Sequence, residues 1–64
     1  MKNRIKELRQ EQHKTLREVA EAVDTYNQNI SNWERGKSEP KLATWQKLAD
    51  YFGVSFDYLV GWED

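Results

Sequence analysis

At 64 residues, with 38% hydrophobic and 33% charged side chains, the chain has the size of one small domain with a compact core. It has no cysteine and one histidine, which excludes a disulfide scaffold and a zinc finger, and no apolar run nears the ~20 residues that cross a bilayer. The net charge of −1 hides an asymmetry: residues 1–47 carry all ten Lys and Arg and seven of the eleven acids, a net +3, while residues 48–64 carry four acids and no base.

The N-terminus alternates Lys2, Arg4 and Lys6 with polar residues and lacks the apolar core of a signal peptide, so a cytoplasmic protein without a membrane partner is expected. Apolar residues then recur at helical spacing almost throughout. Ile5 and Leu8 predict a short amphipathic helix over roughly residues 2–11, followed by the polar stretch Gln12-His13-Lys14. Thr15-Leu16-Arg17-Glu18 matches a capping box, with Thr15 as N-cap and Glu18 reaching back to it. It opens a second helix over 15–23, whose inward face is Leu16, Val19, Ala20 and Val23.

A third helix is expected over 26–35, with Tyr26, Ile30 and Trp33 on one side and Gly36 as its left-handed stop. Pro40 suits a helix start, where its missing N–H is not needed. Leu42, Trp45, Leu48, Ala49 and Phe52 form the inward stripe of a fourth helix over 41–52, closed by Gly53. In the tail, Val54, Phe56, Tyr58 and Val60 alternate as a strand would, but a lone strand has no partner in a helical chain. Ser55 as cap and Val54 stapling to Leu59 give instead a fifth helix over 55–60. The expectation is all-α: a single five-helix globule spanning residues 1–64.

The third helix has an unusual outer face. At ~100° per residue, Gln28, Ser31, Asn32 and Arg35 point away from the apolar side, with Asn27 at one edge and Asn29 near the apolar border. An ordinary solvated face carries Glu and Lys, which favour helix. Its three asparagines cost about 2 kcal/mol relative to Ala, a large part of a stability of ~5 kcal/mol. Amide side chains place a donor beside an acceptor, which matches the N6/N7 edge of adenine in the major groove. The plainer readings are weak selection at these positions and a solvated surface of mixed charge; the alternative is that the basic segment faces an anion.

The order of elements favours the sharper reading. A short capped helix, a tight turn at Asp24-Thr25, then a helix with a polar outer face describe a helix-turn-helix whose second helix enters the major groove. Ala20 would let the two helices approach, and Val23 with Ile30 would lock their angle. The chain resembles the XRE-type helix-turn-helix family of phage repressors and Cro-like regulators over essentially its whole length. The resemblance lies in Ile5-Lys6-Glu7-Leu8-Arg9, in Thr15 with Glu18-Val19-Ala20, and in Ile30-Ser31-Asn32-Trp33-Glu34-Arg35-Gly36-Lys37. It continues in Pro40-Lys41-Leu42, and in Leu48-Ala49 with Phe52-Gly53-Val54-Ser55.

That resemblance implies a lambda-repressor-like fold that binds double-stranded operator DNA, commonly as a homodimer on a palindrome, as a transcriptional repressor with no cofactor or metal. By position it implies base contacts from Asn27, Gln28 and Asn32, with Ser31 on the same face. It implies phosphate contacts from Thr15, Arg35, Lys37 and Lys41, to which Arg17 and Tyr26 are added as candidates, and a charge pair, Arg9 with Glu34, tying the first helix to the third. Three positions depart from the family pattern. Leu16 replaces a glutamine and cannot touch phosphate, Asp24 replaces the turn glycine, and Tyr26 replaces a small N-cap residue. Either Thr25 caps one residue earlier, with Gln28 completing a box, or Tyr26 is placed to reach a phosphate.

Nothing in the chain points to an enzyme. His13 has no cysteine or nearby serine to activate, and Glu18 with Glu21 reads as a solvated helix face. Trp33 and Trp45 belong to apolar stripes, whereas Tyr58, Val60 and Trp62 either fold back on the domain or form an apolar patch for a second subunit. The alternative function is an antitoxin or protein-interaction module in which DNA binding is secondary; the toxin-binding extension such a protein usually needs is not visible.

Overall fold

The structure, a computed structural model, describes residues 3–62. It contains five helices: α1 (Ile5–Glu11), α2 (Leu16–Ala22), α3 (Asn27–Glu34), α4 (Leu42–Phe52) and α5 (Phe56–Val60). None is long and apolar enough to cross a membrane. The expected helices stand with ends shifted by a residue or so, except that α1 begins three residues later than expected. Asn3 sets that start, because its side-chain oxygen accepts the Ile5 N–H at 3.0 Å.

The core gathers Ile5 and Leu8 of α1, Val19 and Ala20 of α2 with Val23 beyond its end, Ile30 and Trp33 of α3, Trp45, Leu48, Ala49 and Phe52 of α4, and Leu59 and Val60 of α5. Leu16, Tyr51, Val54, Phe56 and Tyr58 pack against its rim. Two stripe residues were misassigned. Tyr26 is 80% exposed, because as the N-cap of α3 it has extended backbone (φ −102, ψ 151) and the helical wheel does not apply to it. Leu42 is 71% exposed, whereas Pro40, two residues earlier, is buried. A side chain in the first helical turn leans back past the helix start, so the helical wheel does not fix its burial. Pro40 is not the first helical residue; Lys41 intervenes as N-cap.

All five helices end in the same way. A left-handed residue follows the C-cap of α1, α2 and α3 (His13, Asp24, Gly36) and is itself the C-cap of α4 and α5 (Gly53, Gly61), with φ between 56 and 89. The following N–H reaches back over a full turn, as in Lys14 to Arg9 O at 2.9 Å, Thr25 to Ala20 O at 2.9 Å and Lys37 to Asn32 O at 2.9 Å. This paired closure satisfies carbonyls that would otherwise be orphaned. Asp24 stands where the family pattern has its turn glycine, whereas nothing in the sequence marks His13.

Side chains stitch the ends of the bundle. The Arg4 backbone N–H donates to Leu59 O at 2.8 Å, its Nη1 donates to Tyr58 O at 2.7 Å, and its guanidinium lies 4.2 Å from the Tyr58 ring centroid. Gln12 Nε2 donates to Phe52 O at 2.9 Å, tying the end of α1 to the end of α4. The tail residues divide. Val60 is buried and Tyr58 half-buried, while Trp62 is 67% exposed with its ring edge-to-face on Phe56 at 5.6 Å.

Candidate nucleic-acid interface

The α2 start is a closed capping box. Thr15 Oγ1 accepts the Glu18 N–H at 3.0 Å, and Glu18 Oε1 accepts the Thr15 N–H at 2.8 Å. That backbone bond, with smaller help from the Thr15 hydroxyl and the Lys14 charge, holds the Glu18 carboxyl below its ordinary value. Thr25 does not cap α3: its Oγ1 accepts from Asn29 Nδ2 at 2.8 Å, and no side chain caps the helix at Tyr26. Ala20, Val23 and Ile30 are all buried, so the small, branched and branched side chains fix α3 against α2.

With its inner face so held, α3 turns its amides outward. Asn27, Gln28 and Arg35 are exposed, and Ser31 and Asn32 partly so. Four of these five are joined: Gln28 Nε2 donates to Asn32 Oδ1 at 3.1 Å, Arg35 Nη2 donates to the same oxygen at 3.0 Å, and Arg35 Nε donates to Ser31 O at 3.4 Å. The i,i+4 and i,i+3 spacings carried that signal in the sequence.

The remaining candidates make no side-chain hydrogen bond to this face among the described residues. Thr15, Tyr26 and Lys41 are the N-cap residues of α2, α3 and α4, and Lys37 follows the left-handed Gly36 that closes α3. Arg17 is exposed and pairs along its own helix with Glu21 at 3.2 Å. Such a solvated pair is worth at most ~1 kcal/mol and exchanges easily for another anion.

Behind α3 the fixing is stronger. Arg9 Nε donates to Glu34 Oε2 at 2.6 Å, Nη2 donates to Oε1 at 3.3 Å, and Nη1 donates to Lys14 O at 3.1 Å. The two side chains are only 15% and 6% exposed. Asn3 Nδ2 adds a bond to Trp33 O at 3.0 Å, a contact that sequence reasoning missed because nothing in the periodicity marks residue 3.

The helix-turn-helix family pattern matches residues 5–59. The chain belongs to the XRE-type helix-turn-helix family. Among helix-turn-helix relatives, it is 43% identical over 58 residues to the HTH-type transcriptional regulator ImmR of Bacillus subtilis, covering 91% of this chain and 46% of that protein. It is 34% identical over 58 residues to the cryptic phage CTXphi transcriptional repressor RstR of Vibrio cholerae, covering 91% and 52%. The chain therefore spans about half the length of these two relatives. The crystal structure of a transcriptional regulator from Listeria innocua shares the fold, with a TM-score of 0.86 over 100% of this chain and 64% of that one at 22% identity. In helix-turn-helix terms, α2 is the first helix, Val23–Tyr26 the turn, and α3 the second helix. Leu16 at the start of α2 packs on the core rim, as an apolar replacement should.

Proposed function

We propose that this helix-turn-helix binds double-stranded DNA sequence-specifically and represses transcription, with α3 in the major groove. The observation that carries the reading is the outer face of α3, where Asn27, Gln28, Ser31 and Asn32 stand together and no acid intrudes. Phosphates would repel an acidic face, and amides discriminate base edges where Lys and Glu would serve solubility better. Tyr26 and Lys41 cap nothing with their side chains, which leaves the first N–H groups of α3 and α4 free for phosphate oxygens. Thr15, Arg17, Lys37 and the spare N–H groups of Arg35 complete the backbone contacts. Two copies would sit on a palindromic operator, dimerising on the DNA, and the chain would act in the cytoplasm. Selection from a random duplex pool tests this: a palindromic motif is expected, and a pool that returns no motif refutes it.

A further inference from the structure

We propose that Arg35 sets the hydrogen-bond polarity of the α3 face, so that Asn32 reads guanine rather than adenine. The inference rests on the DNA-binding reading above and gives it a base preference. An asparagine amide on a bare helix can turn either its oxygen or its nitrogen outward, and so matches several bases. Arg35 removes that freedom. A guanidinium has donors only, and Nη2 lies 3.0 Å from the Asn32 amide, so the atom facing it is the oxygen. Gln28, one turn earlier, meets the same oxygen and therefore offers its nitrogen, at 3.1 Å.

Both lone pairs of Asn32 Oδ1 are then occupied, and the group left for the groove is Nδ2 with its two N–H donors. Guanine presents two acceptors, O6 and N7, on its major-groove edge; adenine pairs one acceptor with an amine that would meet a donor head-on. Thymine offers one acceptor beside a methyl group, and cytosine an amine. Gln28 keeps its whole oxygen and one N–H, a donor–acceptor pair that still suits adenine. Two chemically equivalent amides, one turn apart, are thereby given different bases to read. Arg35 acts through Asn32 as a positioning residue, and its remaining N–H groups stay available for a phosphate.

The test selects duplexes from a random pool with the wild-type chain, Asn32→Ala and Arg35→Ala. The base pair whose preference disappears in Asn32→Ala is the one that Asn32 reads. In the wild type that pair is expected to be G·C. In Arg35→Ala it should shift several-fold toward A·T, while the other positions of the motif keep their preference. A phosphate contact alone would weaken operator and random DNA together and leave the motif unmoved. An A·T pair under Asn32 in the wild type, or an unchanged motif in Arg35→Ala, overturns the polarity assignment. A wild-type pool without any motif refutes the DNA-binding reading itself, so the two failures are told apart.

Discussion

Gln28 in the first turn of α3 and Lys37 beyond its end are both exposed and polar, yet truncation should separate them. A good bidentate amide–base contact discriminates by roughly 1–3 kcal/mol. Gln28→Ala is therefore expected to weaken operator binding by roughly 5- to 150-fold while affinity for random DNA barely changes. Lys37→Ala should weaken both and lower the log–log salt slope by about one unit, because a phosphate contact carries no sequence information. Titrations of both duplexes at several salt concentrations check this, and an unchanged ratio in Gln28→Ala would show that the face reads no base. Glu18 gives a second prediction at this scale. Its folded pKa is lowered below the ordinary value by the Thr15 N–H, so its contribution is present above the unfolded pKa and lost as pH falls through the folded one. Glu18→Gln keeps a capping side chain but does not titrate. Its melting temperature should fall less steeply between pH 6 and pH 3 than that of the wild type, on melts at ~1-unit intervals.

Among the elements, helix starts and stops were legible where a local signature exists. Thr15 with Glu18, Ser55 with the Tyr58 N–H, and Gly36 each announce a cap within four residues. Tyr26 and Leu42 are exposed although their spacing reads as buried, because a helical wheel says nothing of a cap residue and little of the first turn. Asp24 closes α2 in a left-handed conformation that an L-residue adopts at some cost. Asp24→Gly should stabilise the fold by up to about 1 kcal/mol, read from urea midpoints, with a lower midpoint as the contrary result. The Arg9–Glu34 pair behaves as a unit. Arg9→Met or Glu34→Leu alone leaves a largely buried charge unpaired and should cost ~3 kcal/mol, while the double replacement costs less than the sum of the two. A thermal-melt cycle in which both single variants are silent would contradict it.

For the whole molecule, the periodicity was enough to define five helices and their buried faces, because core burial is what the spacing encodes. The directions of the α3 amides were not legible, since they depend on which atom of Arg35 meets which atom of Asn32. Nor was the grip of Asn3 on Trp33 O, a contact between residues 30 apart in the chain. Two-fold binding is the prediction at this scale. Half-sites should lie about one helical turn apart, ~34 Å, so that two copies of α3 enter successive major grooves on one side of the duplex. Sedimentation with a selected duplex should give two proteins per DNA, and one per DNA would contradict the symmetric arrangement.

The bonds from Arg4 to Leu59 and Tyr58 have a consequence for how the molecule opens. A helix as short as α5 does not persist undocked, and its last carbonyls are held by a residue whose neighbour, Asn3, holds the end of α3. Local unfolding proceeds in contiguous cooperative units, and here hydrogen bonds link the tail, the Asn3-Arg4 dipeptide and the last turn of α3. Release of the tail is therefore expected to loosen the Asn3 bond to Trp33 O, while the Arg9–Glu34 pair still holds that end of α3.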